Sequence, residues 1–158
     1  MAEKTLAMKV LEGQKVAYEV FSYPTTERDA AVIATHFGVP PEQVFKTLVV
    51  ERAPAKPLLV LVPAHCQLNL KKLAQVTGDK KLKMATHAQA EALTKLQVGG
   101  ISPLALLNKG FVVLIDQSAQ AQDKIFVSAG QKGLNLRVAT ADLGRITHAR
   151  FVDVAEEL

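Results

Sequence analysis

One cysteine stands in 158 residues, Cys66, so an internal disulfide is excluded and the count fits a reducing compartment. No apolar run approaches the ~18 residues that a membrane span needs. The start, Met1-Ala2-Glu3-Lys4, carries an acid early and lacks the apolar stretch of a signal peptide. These shortages make a cytoplasmic protein, off any membrane, the expectation. Histidines are also sparse: His36, His65, His87 and His148 are scattered, and with one cysteine they form no zinc spacing. His65 and Cys66 are neighbours, but consecutive strand residues point to opposite faces, which separates a thiol from a base. HExxH, P-loop and GxSxG motifs are missing, and no GxGxxG follows the first strand pattern. Neither a metal nor a cofactor is expected. If the chain is an enzyme, it works through positioning, backbone donors and a lysine, without an activated protein nucleophile.

What is present is an ordinary globular balance, 49% hydrophobic and 22% charged, over residues 1–158, which predicts one domain with a substantial core. A net charge of +4 is too mild to signal nucleic acid by itself. Its distribution says more: Lys71, Lys72, Lys80, Lys81 and Lys83 fall close together with only Asp79 opposing them. Such a cluster neutralises phosphates, or it is a solvated helix face and loop.

The apolar pattern predicts a mixed succession. A first helix runs from Leu6 to Gly13, and a strand alternates from Val16 to Tyr23. Thr26-Glu27-Arg28-Asp29 resembles a capping box opening a helix to Gly38. Strands follow at Phe45 to Glu51 and Leu58 to Val62, the second fully buried. Asn69 caps a helix to Thr77, and Thr86 with Gln89 caps another to about Leu96. Three strand-like runs come next, at Phe111 to Ile115, Lys124 to Ser128 and Leu134 to Val138, the last two joined by a Gly130–Gly133 hairpin turn. Thr140 opens a last helix, and Phe151 to Val154 closes as a strand. Grouped strands of this kind predict a mixed α/β (α+β) domain: a compact, curved, barrel-like mixed sheet with helices around it.

Two features carry chemistry. Lys46 opens an apolar strand and shares a face with Leu48 and Val50, so its ammonium emerges beside apolar surface. There it attracts a phosphate or a developing oxyanion, or it simply reaches water past the strand end. Val98-Gly99-Gly100-Ile101-Ser102-Pro103 is a stretch of bare backbone shaped by a proline. It suits close approach by a small polar ligand, or a tight packing corner.

Phe45-Lys46-Thr47-Leu48, Gly99-Gly100-Ile101-Ser102-Pro103-Leu104 and Val127-Ser128-Ala129-Gly130-Gln131-Lys132-Gly133-Leu134 occur in this order. Together with Asn69-Leu70-Lys71-Lys72-Leu73 and Lys80-Lys81-Leu82-Lys83-Met84-Ala85, they make the chain resemble the YbaK/EbsC family over nearly its whole length. That family is related to the editing domain inserted in bacterial prolyl-tRNA synthetases. The resemblance implies a trans-editing deacylase that removes cysteine from Cys-tRNA(Pro). Its partners would be the aminoacylated 3′ end of tRNA and, alongside it, prolyl-tRNA synthetase. It also implies site roles. Lys46 would hold the aminoacyl-adenosine end and Gly99 would contact the substrate through its backbone, as the catalytic pair. Tyr23, Gly100, Ile101, Ser102, Ser128 and Asn135 would bind substrate, and the lysines at 71, 72, 80, 81 and 83 would meet tRNA phosphates. The implied mechanism is substrate-assisted: the thiol of the attached cysteine attacks its own ester, with attack by water as the alternative.

Departures from the family pattern bear on specificity. Leu93-Thr94-Lys95-Leu96-Gln97 replaces the usual S-T-G-Y-L, Ala129 replaces a glycine, and Asn135 stands where some relatives carry aspartate. These changes are expected to surround the pocket. They leave open a deacylase for alanine or another small amino acid, and a non-catalytic module that binds tRNA or a synthetase.

Overall fold

The computed structural model describes residues 3–158; Met1 and Ala2, part of the N-terminal stretch read above, lie outside the described residues. Helix α1, Leu6–Gly13, starts where the Thr5 hydroxyl accepts from the Met8 amide and buries Ala7, Met8 and Leu11. Strand β1 is Tyr18–Ser22, shorter than the alternation suggested. Helix α2, Ala30–Phe37, is capped by Asp29, whose carboxylate accepts from the Ala31 amide at 2.9 Å. The capping box expected at Thr26 is absent. Glu27 instead turns back to accept from the Arg28 and Asp29 amides, so the helix starts later.

Two long strands follow, β2 at Phe45–Arg52 and β3 at Ala55–Pro63, then a short β4 at Cys66–Leu68. Asn69 caps helix α3, Leu70–Thr77, as its side chain predicts. Strand β5 is only Lys83–Met84. The Thr86–Gln89 capping box forms in both directions and opens α4, His87–Thr94. After the glycine loop come β6 at Val112–Asp116, β7 at Lys124–Ser128 and β8 at Leu134–Ala139. Helix α5, Thr140–Thr147, has Ala139 at its cap position; the Thr140 hydroxyl donates instead to the Gln122 carbonyl at 2.7 Å. Strands β9, Arg150–Val152, and β10, Ala155–Glu157, divide the single closing strand that the pattern suggested. No helix among the described residues is long and apolar enough to cross a membrane.

The five-stranded sheet runs β5-β2-β3-β6-β9, with β3 antiparallel to β2 and parallel to β6. A second sheet, β1-β8-β7, is antiparallel throughout, and β10 pairs with β4. A bridge between Val44 and Phe126 joins the two larger sheets at one edge. The result is the expected mixed α/β domain, built from several sheets rather than one, with the two larger sheets packed over a shared core. On the inner face Phe45, Val49, Leu59, Leu61, Val113 and Ile115 pack against Ile125, Val127, Leu136 and Val138 of the second sheet, closed by Leu11 of α1 and Leu143 of α5. On the outer face Val50, Leu58, Val60, Val62 and Leu114 meet Leu73 of α3. β3 is therefore buried on both sides, which is why it reads as an unbroken apolar run.

The C-terminal strands are held by one buried carboxylate. Asp116 accepts from the amides of Val154 at 3.1 Å, Ala155 at 2.9 Å and Ser118 at 3.1 Å. Removing it leaves backbone donors buried without partners. Asp116→Ala is expected to destabilise the protein by about 3 kcal/mol, a fall of roughly 6–12 °C in the thermal midpoint for a domain of this size. Asp116→Asn, which keeps one acceptor oxygen, is expected to lose less; thermal melts of the two variants make the comparison.

Candidate functional site

A cavity of about 430 Å³ opens between the start of β2, the start of α2 and the glycine loop. Its lining brings together six of the residues singled out above: Tyr23, Lys46, Gly99, Ile101, Ser128 and Asn135. Five consecutive residues, Val44 to Leu48, line it. The reason is an open strand edge. On its second side β2 pairs with β5 only at Val50 and Glu51, and Val44, just before it, bridges to Phe126 of β7. Between those points no strand pairs with this edge, and the Val49 carbonyl accepts from the Ala85 amide at 3.0 Å.

Lys46 is half-buried there, opposite Val62 on β3. Burial pulls its pKa below the usual 10.5, while the nearby Cys66 thiol and the Asp29 carboxylate push it back up. Cys66 is itself buried, and burial raises its pKa. The cavity contains two further cations that the sequence reading did not identify, Arg28 and Lys132, and two acids, Glu27 and Asp29. Both acids accept backbone amides at the entry to α2. None of the three cations takes part in an ion pair among the described residues. The site thus presents free positive charge against the apolar wall of Ile33, Val44, Phe45, Leu48 and Ala64. Such a setting strengthens attraction for a phosphate or an oxyanion. The Thr47 hydroxyl, a further lining group, is buried with no hydrogen-bond partner.

The glycine loop is tied to the opposite wall by the Tyr23 hydroxyl, which donates to the Gly99 carbonyl at 3.3 Å. The two glycines serve different ends. Gly99 lines the cavity with φ +93, a conformation that L side chains rarely adopt. Gly100 is buried away from the cavity, and a Cβ there would stand 3.0 Å from the Gln131 Cα and the Lys132 nitrogen. Ser102 is also fully buried outside the lining, its hydroxyl accepting from the Leu104 amide at 3.2 Å. Gly100 and Ser102, expected to touch substrate, are both buried outside the cavity lining. Ser128 lines the cavity while its hydroxyl accepts from the Gly130 amide at 3.1 Å.

The lysine cluster lies elsewhere. Lys72 pairs with Asp153 at 3.1 Å, Lys83 sits on β5 opposite Glu51, and Lys71, Lys80 and Lys81 are exposed, none of them lining the cavity. Of the departures expected to surround the pocket, only Asn135 does so. Ala129 is fully buried in the core, and Leu93 to Leu96 line a separate groove. No group of three or more His, Cys, Asp and Glu among the described residues is arranged to hold a metal ion.

The sequence profile described as the aminoacyl-tRNA editing domain matches residues 25–146, a span that holds every lining residue named above except Tyr23. EbsC of Enterococcus faecalis, named as a candidate Cys-tRNA(Pro)/Cys-tRNA(Cys) deacylase, is 32% identical over 154 residues, covering 96% of this chain and 93% of EbsC. A proline–tRNA ligase of Streptococcus gordonii is 29% identical over 124 residues, 78% of this chain but only 20% of the ligase. A solved structure described as a candidate trans-editing enzyme for prolyl-tRNA synthetase matches the fold with a TM-score of 0.84 at 23% identity, over 98% of this chain and 99% of that one.

Two outcomes follow from the geometry. Gly100→Ala sets a methyl group against the backbone of Gln131 and Lys132, which cannot swing aside; a loss of about 1–3 kcal/mol in urea unfolding is expected. Lys46→Met removes a charge that its surroundings disfavour, so the variant is expected to melt higher than wild type near neutral pH. Wild type gains stability as pH rises from the lowered pKa of Lys46 toward 10.5, because there the unfolded chain holds more protons than the folded one. The gap between the two proteins therefore narrows over that window, which paired melts against pH detect.

Proposed function

This chain belongs to the aminoacyl-tRNA editing domain family, and from that premise we propose that it is a deacylase acting in trans on Cys-tRNA(Pro). The observation that carries the reading is the half-buried Lys46, free of ion pairs, in a cavity walled by the Gly99 loop. A hydrophobic pocket separates near-isosteric amino acids by only ~1–3 kcal/mol, so a synthetase that accepts cysteine for proline benefits from a second sieve. The relatives named above are consistent with this place beside prolyl-tRNA synthetase.

In the proposed reaction the aminoacyl ester sits between Lys46 and Gly99. The cysteine sulfur attacks the ester carbonyl, forming a C–S bond, and the C–O bond to the ribose breaks. The thiol proton passes to the departing ribose oxygen, which leaves tRNA with a free hydroxyl and a cyclic thiolactone that water later opens. Lys46 and loop N–H groups stabilise the oxyanion, and Tyr23 holds the loop at its working distance. Arg28 and Lys132 take the phosphate of the terminal nucleotide, and Ile101, Ser128 and Asn135 bound the small side chain. No protein nucleophile is required, which accords with a cavity whose one nearby thiol, Cys66, is buried and raised in pKa. In this proposal tRNA identity is supplied by the synthetase.

Deacylation of tRNA(Pro) charged with cysteine, serine, alanine or proline tests the reading. Cysteine is expected to be released fastest, as thiolactone by mass analysis, with Lys46→Ala slowing turnover about 10²–10³-fold. Serine or alanine released as fast as cysteine would sink the thiol scheme and leave attack by water. Turnover indifferent to Lys46→Ala would reject the role given to Lys46, and no release above the uncatalysed rate for any amino acid would leave only a binding module.

A further inference from the structure

A second cavity, of about 390 Å³, is lined by different residues from the first, but two chain segments contribute to both. Leu93, Thr94, Lys95 and Leu96 line it, and the same segment continues to Val98 and Gly99 in the first cavity. Gly130 lines the second cavity, between Ser128 and Lys132 of the first. The two sites are thus neighbours across two loops.

Three lysines, Lys56, Lys95 and Lys109, line this groove, and no acidic residue does. All three are exposed, and none joins an ion pair among the described residues. Their backbone placement is definite. Lys95 ends α4 in a left-handed conformation, and Lys109 sits between Asn108 and Gly110, both with positive φ. Lys56 packs along Gly110, its Cε 3.2 Å from where a Cβ would stand. The same groove is lined by exposed apolar side chains, Leu6 and Leu93. Lys46 faces Val62 on β3, and Lys56 lies six residues earlier on that strand, about 20 Å away at ~3.3 Å per residue. Unpaired cations interleaved with apolar surface, running out from an ester pocket, match a single strand of nucleic acid with its phosphates and base faces.

We infer that this groove seats the RNA strand leading into the ester pocket, with Lys56, Lys95 and Lys109 on successive phosphates and base faces resting on Leu6 and Leu93. The inference deepens the deacylase reading and rests on it for the strand's destination. It places the tRNA track in this groove, whereas Lys72 of the other lysine cluster is already held by Asp153 and the Ala155 carbonyl.

The test uses the full chain and an uncharged RNA hairpin copying an acceptor stem with a single-stranded 3′ end. Binding is followed by fluorescence anisotropy across a salt series. Replacing Lys56, Lys95 and Lys109 with Gln is expected to flatten the slope of log K against log salt by about 2, three contacts at ~0.7 each. The matched Lys71, Lys80 and Lys81 replacement is expected to leave the slope close to wild type. Acetylation of the unaltered protein gives an independent reading: RNA is expected to protect the groove lysines and not Lys80 or Lys81. The inference is overturned if the groove variant keeps the wild-type slope, if the other cluster carries the loss, if wild type does not bind the hairpin, or if prolyl-tRNA synthetase rather than RNA protects the groove. Release of cysteine from its adenosine ester by wild type is read separately. Failure there with RNA binding intact rejects the deacylase reading and keeps the groove; the reverse rejects the groove alone.

Discussion

The pairing of β2 with β3 is the constraint on which the rest of this molecule depends. β3 is buried on both faces, so its side chains fit two cores at once and its register has no freedom. Through the ladder that register passes to β2, with Phe45 opposite Pro63 and Lys46 opposite Val62. A slip of one residue would turn Lys46 to the face that holds Phe45 and Val49, in the inner core. Two hydrophobic clusters, neither of which does chemistry, thereby decide where the ammonium emerges.

That emergence is useful because β2 is only half paired where Lys46 lies. The strand is stiffened by β3 along one edge, yet on its other edge no strand pairs with it beside the cavity. Local charges are arranged so that the cations stay free. Glu27 and Asp29, the nearest candidates to neutralise them, are engaged with the amides that start α2. Partial burial costs the lysine some of its preference for the charged form. The same low-dielectric surroundings magnify its pull on an arriving anion. Stability given up at Lys46 and binding strength gained there have one physical origin.

Elements defined by local chemistry were legible in the sequence. Asn69 and the Thr86–Gln89 box cap their helices as their side chains dictate, and the long apolar run of β3 declares itself buried. Elements defined by a distant partner were not. β4, β5 and β10 have two or three residues each and exist only because a neighbouring strand pairs with them. Thr26 and Asp29 are both plausible caps by residue type, and the turn-back of Glu27 selects Asp29. The family motifs led to Lys46, Tyr23 and Gly99 but could not separate Gly99 from Gly100, since neither φ nor the closeness of the 131–132 backbone is written locally. Arg28 and Lys132 were missed for the same reason: each is an unremarked surface-type residue until folding turns it toward the cavity.

The shared loops explain how one small domain would divide its labour. A pocket that recognises a small side chain has few atoms to grip, so its own binding energy is limited. Grip on the polymer must come from charge farther along the strand, and charge supplies it without reading sequence. Placing the groove on the other side of the Leu93–Gly99 and Ser128–Lys132 segments makes each loop serve both sites. The altered residues from Leu93 to Leu96 line the groove and not the Lys46 cavity, so on the proposed reading they would vary how the strand is held while the surroundings of Lys46 stay as they are. Under the proposed reading, specificity for the amino acid would rest with Asn135 and the apolar wall, and hold on the RNA with the lysines beyond it.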